Sequence, residues 1–185
     1  MTEWLTGIDF SILYWIQDRI RCDFLDGFFG VVTRLGDFGA IWILTALLLL
    51  LSRRRRRTGL LLGMGLLACL LVGNLLLKNL VARPRPCWLD PSVSLAIPMP
   101  GDWSFPSGHT LSSAVAATLL TGCERRMAFL AIPTAVLIAF SRLYLFVHFP
   151  SDVLAGALIG FVIGLLLLRL KKHIPLPDVP EKKKK

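Results

Sequence analysis

Two histidines, one aspartate and four cations stand apart from the apolar bulk of this 185-residue chain. His109 sits in Phe105-Pro106-Ser107-Gly108-His109-Thr110, and His148 precedes Asp152 in His148-Phe149-Pro150-Ser151-Asp152. Lys78, Arg83, Arg85 and Arg142 lie in or beside the ends of apolar runs. Cations gathered in a partly apolar place repel one another unless an anion joins them, and guanidinium matches phosphate oxygens through forked hydrogen bonds. A carboxylate ligand needs one arginine. A phosphoryl group, with its charge spread over three equatorial oxygens, uses several donors at once. His148 and Asp152, one helical turn apart, form a natural couple: the carboxylate fixes one tautomer and makes the other ring nitrogen the better nucleophile. His109 is then left as the acid that protonates a leaving oxygen and afterwards activates water to hydrolyse a phosphohistidine.

This chemistry asks for no metal and no cofactor. The loop between the first and second cationic groups carries only scattered Asp90 and Asp102, with no carboxylate cluster suited to Mg²⁺. Cys22, Cys69, Cys87 and Cys123 show neither Cys-x-x-Cys pairing nor the histidine spacing of a zinc site, so they read as ordinary buried or interfacial residues.

The elements that must carry these residues are helices in a membrane. With 55% hydrophobic residues and a mean hydropathy of +0.65, the chain is too apolar for a soluble domain of its size. A helical crossing needs about 20 apolar residues; 59–77 meets this with only Asn74 polar, and 38–51, 110–122, 127–147 and 153–168 are further crossings. In the first 37 residues, Asp9, Asp18, Arg19, Arg21, Asp23 and Asp26 interrupt the apolar pattern. The reading there is an amphipathic interfacial segment over 1–22 followed by one short crossing. Glu3 and Asp9 sit where a cleavable signal peptide would want a basic start and an unbroken apolar stretch. The expected architecture is all-α: one transmembrane domain over 1–172 with about six transmembrane helices, then a basic cytoplasmic tail over 173–185.

The net charge of +9 collects at Arg53 to Arg57, Arg125 with Arg126, Lys171 with Lys172, and Lys182 to Lys185, all at the ends of apolar runs. That placement follows the positive-inside rule and fits attraction to anionic lipid headgroups. Nucleic-acid binding, which wants a basic face on a folded soluble domain, is not expected. With those clusters cytoplasmic, the helix ending at Lys78 runs outward and the loop 80–104 lies outside. Alternation then brings Lys78, Arg83, Arg85, Ser107, His109, Arg142, His148 and Asp152 to one extracytoplasmic level.

Local signals agree. Pro84 and Pro86 end the helix that carries Lys78. Ser107 is placed as an N-cap, and Pro150 fits a first helical turn. Both helix starts point outward, where free N–H groups and the positive dipole end favour an anion, and Gly108 would let a ligand approach the main chain.

The ordered set Lys78-x6-Arg85-Pro86, Pro106-Ser107-Gly108-His109 and Ser141-Arg142-x5-His148-x3-Asp152 resembles the type-2 phosphatidic acid phosphatase family, complete and in family spacing. The resemblance implies a helical membrane bundle related to vanadium-dependent haloperoxidases. It implies that Lys78, Arg85 and Arg142 bind phosphate, that Ser107 and Gly108 complete the cradle, that His148 is the nucleophile supported by Asp152, and that His109 is the acid and base. Within Arg83-Pro84-Arg85-Pro86 only family spacing selects Arg85, so Arg83 is left as a second phosphate contact or an interfacial anchor. The implied substrates are lipid phosphates: phosphatidic acid, phosphatidylglycerophosphate, diacylglycerol pyrophosphate or polyprenyl diphosphates. With Arg83 beside Arg85, the preferred expectation is undecaprenyl diphosphate in a bacterial plasma membrane.

Two other classes use similar residues. A lipid or phosphate transporter also collects cations, but near the midplane between inverted repeats, and no repeat is visible. A vanadate-dependent oxidase would share the cradle. Trp88 and Trp103 read as interfacial anchors and Asn74 as an interhelical hydrogen-bond donor.

Overall fold

A computed structural model describes residues 3–171, all of whose regular elements are helical. The expected tail over 173–185 lies outside the described residues. The helices are α1 (Glu3–Arg19), α2 (Asp23–Gly36), α3 (Ala40–Leu51), α4 (Arg56–Cys69), α5 (Lys78–Val81), α6 (Pro86–Leu89), α7 (Gly108–Cys123), α8 (Ala128–Tyr144) and α9 (Pro150–Leu170). They assemble into six rods. α1 is one; α2 and α3 form a kinked second; α4 continues through a π-helical stretch, Leu70–Leu77, into α5 as a third; α7, α8 and α9 complete the set.

Among the described residues four stretches are long and apolar enough to cross a membrane: Asp23–Leu51, Arg56–Leu89, Arg125–Tyr144 and Pro150–Leu170. The short crossing expected before residue 38 and the run 38–51 share the first of these. The reason is local: Gly36-Asp37-Phe38-Gly39 bends the chain within one short turn, where Phe38 and Gly39 take left-handed φ values of 52° and 71°.

α9 packs on α7 through small residues. A β-carbon at Gly160 would come within 2.5 Å of the Leu111 carbonyl oxygen, one at Gly156 within 2.8 Å of the Ser107 carbonyl, and one at Gly164 within 2.7 Å of Thr118. The Gly-x3-Gly-x3-Gly spacing thus lets two backbones touch, the usual means of helix association where lipid leaves little hydrophobic drive between apolar surfaces. Leucines on the outer surfaces stay exposed, Leu154 at 70% and Leu158 at 64% among them, as a lipid-facing surface requires.

The two ends of the bundle differ in charge. At one end Arg55 pairs with Glu124 at 3.0 Å, and Arg57 donates to the Lys171 carbonyl, so the basic turns before α4 and α8 and the end of α9 converge. At the other end lie the α8–α9 turn, the loop after α5 and the start of α7. α1 touches that second end throughout: Asp9 meets Arg83 and Ser151, Tyr14 donates to Asp90, and Gln17 donates to the Tyr144 carbonyl. It lies across the end of the bundle, with Asp9, Leu13 and Ile16 buried against it.

Candidate active site

Lys78 is delivered by the π-helical stretch, whose wider turns re-aim the residues that follow it. The helix ends three residues later at Val81, and the next residue, Ala82, adopts a left-handed φ of 46° before the two X-Pro steps. Lys78 is 8% exposed, Arg85 2% and Arg142 4%, so three cations are buried at one end of the bundle. Two of them share one carboxylate. Asp102 joins Lys78 through one carboxylate oxygen and Arg85 Nη2 through the other at 2.6 Å, while its backbone carbonyl accepts from Arg85 Nε at 2.6 Å. Burial alone would raise the Asp102 carboxyl, but Lys78 and Arg85 outweigh it and hold it at about 2. Arg142 donates from Nη1 to Thr33, while its buried Nε has no hydrogen-bond partner among the described residues.

His148 lies in the turn between α8 and α9 and is 1% exposed. Its Nε2 stands 3.0 Å from Arg85 Nη1, which also donates to the Val147 carbonyl at 2.7 Å. Because a guanidinium can only donate, Nε2 carries the lone pair and Nδ1 the proton. Nδ1 faces Asp152 Oδ2 at 3.8 Å, beyond hydrogen-bond length, and the Ser104 hydroxyl stands between them, 3.4 Å from Nδ1 and 2.5 Å from Oδ2. Burial first, then the charges of Arg85 and Arg142, push the His148 imidazolium well below the ordinary histidine range. The ring is neutral, as a nitrogen nucleophile must be.

Asp152 is wholly buried and held on every side. Its Oδ2 also accepts from the Phe149 amide at 3.0 Å, capping α9, and its Oδ1 accepts from Arg83 Nη1 at 2.6 Å. Arg83 in turn reaches Asp9 at 2.8 Å and Ser151 at 2.7 Å and lies over the Phe149 ring at 3.9 Å. Arg83, expected as a second phosphate contact or an interfacial anchor, is here engaged inside the bundle end. Its guanidinium is occupied by two buried carboxylates, and burying that many charges is tolerable only because each has its partner.

His109, second residue of α7, faces the kink of the second rod, with Nε2 3.0 Å from Asp37 Oδ1. Ser107 is fully buried at the N-cap position; its hydroxyl accepts from Thr110 at 3.0 Å and its amide donates to the Asp152 carbonyl at 3.2 Å. The two helix starts are tied together there. No side chain caps α7, so the orphan amides of its first turn stay available for an anion. The close neighbour that Gly108 admits is Asn74: a β-carbon there would meet Asn74 Oδ1 at 2.9 Å. Trp88 and Trp103 stack edge to face at 5.7 Å, and Trp88 donates to the Pro100 carbonyl, closing the loop that carries Asp102.

The expected residues thus gather at one end of the bundle, joined by Asp9, Asp37, Asp102 and Ser104. Asp9 had left a trace, since a carboxylate inside an apolar run wants a partner. The others carried none in their local sequence. The arrangement can hold a phosphoryl group on Lys78, Arg85, Arg142 and the α7 amides, beside an imidazole lone pair.

A model of the PAP2 superfamily matches residues 57–174. This chain belongs to the PAP2 superfamily. Among PAP2-like relatives, an undecaprenyl-diphosphatase of Sulfolobus acidocaldarius is 34% identical over 155 residues, covering 82% of this chain and 75% of that protein. A decaprenylphosphoryl-5-phosphoribose phosphatase of Mycobacterium tuberculosis is 34% identical over 139 residues, covering 74% of this chain and 75% of the relative. The crystal structure of a transmembrane PAP2 type phosphatidylglycerolphosphate phosphatase from Bacillus subtilis superposes with a TM-score of 0.75 at 27% identity, over 96% of this chain and 90% of that one. The motif resemblance and the PAP2 fold agree, and the chain is a multi-pass membrane protein.

Proposed function

We propose that this PAP2 protein is a lipid phosphatase that hydrolyses a polyprenyl phosphate or diphosphate, undecaprenyl diphosphate first among them, through a phosphohistidine. The observation that carries the mechanism is the position of Arg85. It holds an anion, the Asp102 carboxylate, jointly with Lys78, while its Nη1 lies 3.0 Å from His148 Nε2. An anion held by those two cations stands next to the nucleophilic nitrogen.

In the first step His148 Nε2 forms a bond to phosphorus as the bond to the lipid oxygen breaks, and His109 gives that oxygen its proton. In the second, water attacks the phosphohistidine, His109 takes the water's proton back, and inorganic phosphate leaves. Lys78, Arg85, Arg142, Ser107 and the main chain at Gly108 neutralise charge on the transferring group, where such contacts act most strongly. Asp152 supports His148.

The polyprenyl preference is supported by the similarity to an undecaprenyl-diphosphatase and a decaprenylphosphoryl-5-phosphoribose phosphatase, while Arg83 is engaged by Asp9 and Asp152. Phosphatidylglycerophosphate is the second reading, favoured by the fold's match to the Bacillus subtilis enzyme. The site opens on the extracytoplasmic face and the C-terminus is cytoplasmic, a reading supported by the convergence of the basic turns at the opposite end of the bundle. Anionic headgroups neutralise those turns.

The test is phosphate release by the detergent-solubilised protein from undecaprenyl diphosphate, phosphatidylglycerophosphate and phosphatidic acid, in EDTA, with His148→Ala as control. Release that EDTA spares and the variant lacks is the expected result. Absence of release from all three lipids would overturn the reading.

A further inference from the structure

Family motifs account for one carboxylate–histidine couple, and a second is present at the other histidine. His109 Nε2 lies 3.0 Å from Asp37 Oδ1, although 72 residues separate them. Asp37 belongs to none of the three motifs. It sits in the 3-10 turn Asp37–Gly39 that joins α2 to α3.

The local backbone is shaped around this contact. Phe38, a non-glycine residue, holds a left-handed φ of 52°, a conformation that L side chains rarely adopt, and Gly39 follows at 71°. Gly36, just before, has the His109 ring against it: a β-carbon there would lie 2.6 Å from His109 Cδ2 and 2.9 Å from Ile138. A turn of ordinary geometry, or any side chain at 36, would move the carboxylate off the ring. The same last turn of α2 also contacts Arg142 through Thr33.

Chemistry gives the contact a purpose. An acid must hold its proton at the working pH. Burial first, then the charges of Arg142, Lys78 and Arg85, push the His109 imidazolium down to about 3, so the ring needs an opposing charge to act as an acid. His148 is neutral, and Asp102 is paired with Lys78 and Arg85. Asp37 is the carboxylate that touches the His109 ring itself.

We propose that Asp37 is a positioning residue for the second histidine: its carboxylate orients His109 and keeps a proton on the ring, so that His109 meets the leaving oxygen as an acid. The proton moves from His109 to the lipid oxygen as its bond to phosphorus breaks, and returns from the water that cleaves the phosphohistidine; Asp37 keeps its charge throughout. This inference rests on the phosphatase reading above.

A leaving group that needs no protonation separates this role from a structural one. Wild type, Asp37→Asn, Asp37→Glu and His148→Ala are compared on short-chain phosphatidic acid, whose alcohol leaves poorly, and on p-nitrophenyl phosphate, whose phenolate leaves well. Asp37→Asn is expected to lower kcat/KM on phosphatidic acid by roughly 10- to 100-fold, within the range of general acid catalysis, and on the aryl ester by less than about threefold. The alkaline limb of the phosphatidic acid profile should move to lower pH, because His109 sheds its proton sooner, and Asp37→Glu should restore most of the rate. Equal losses on both substrates with an unmoved limb would overturn the proposal and leave Asp37 a structural residue. Should wild type release phosphate from neither of these nor from undecaprenyl diphosphate or phosphatidylglycerophosphate, the phosphatase reading and this inference fall together, whereas wild-type turnover that His148→Ala lacks keeps the first whatever Asp37 does.

Discussion

The two histidines of this site are built in opposite ways. His148 is 1% exposed and its carboxylate Asp152 is wholly buried, held by the Phe149 amide, the Ser104 hydroxyl and Arg83. His109 is 17% exposed and Asp37, on a kink, is 49% exposed. A nucleophile must meet phosphorus along one line, and a buried ring clamped from several sides loses little orientation when it reacts. An acid and base must exchange protons with a leaving group and then with water, which a sealed position would prevent. The difference in burial therefore follows the difference in proposed work.

The largest expected effect tests that division directly. His148→Ala should abolish release from every substrate, while His109→Ala should retain slow release from p-nitrophenyl phosphate and lose about 10²- to 10⁴-fold on phosphatidic acid. Residual lipid turnover by His148→Ala, measured as phosphate released, would break the comparison.

The next effect concerns the clamp on the buried side. Arg83→Ala leaves Asp9 and Asp152 without their cation, and removing one partner of a buried ionic network costs about 3–5 kcal/mol. A lower thermal midpoint in detergent and slower turnover should appear together. Arg83→Lys should recover only part of both, since an ammonium cannot fork between two carboxylates. A variant that unfolded normally and lost only substrate affinity would return Arg83 to the role of phosphate contact.

The smallest effect lies on the open side. Asp102 is 56% exposed and pairs with Lys78 and Arg85, so an incoming phosphoryl group has to displace it. Its carboxyl, held at about 2, stays ionised at any working pH, and acid does not loosen the pair until the pH falls toward that value. Asp102→Asn should let orthovanadate inhibit at lower concentration, by up to roughly fivefold as befits a half-exposed pair. An unchanged inhibition constant would show that the pair does not compete with the anion.

Much of this was legible from residues alone. Proline after Lys78, proline and serine before Gly108, and Pro150 at the start of α9 mark helix ends by local sterics and capping. Helix ends at one level bring cations together whatever the fine packing. Arg83 shows the limit. Its neighbours suggested phosphate, yet Asp9 lies 74 residues away and Asp152 69. Asp9 was visible as an interruption of an apolar helix, but nothing in its surroundings named its partner. The kink at 36–39 was hidden for a similar reason, since both flanking stretches are apolar and the bend shows only in the backbone.

The membrane setting, the helical rods, the gathering of basic clusters at the ends of apolar runs and the motif residues with their family can all be read along the chain. Each depends on run length, capping chemistry or spacing within a few turns. Only the tertiary structure decided which carboxylate answers which cation or imidazole: Asp9 and Asp152 with Arg83, Asp102 with Lys78 and Arg85, Asp37 with His109. Those pairings form where rods distant in sequence cross, and a buried charge takes the partner that packing brings within about 3 Å rather than the one nearest along the chain.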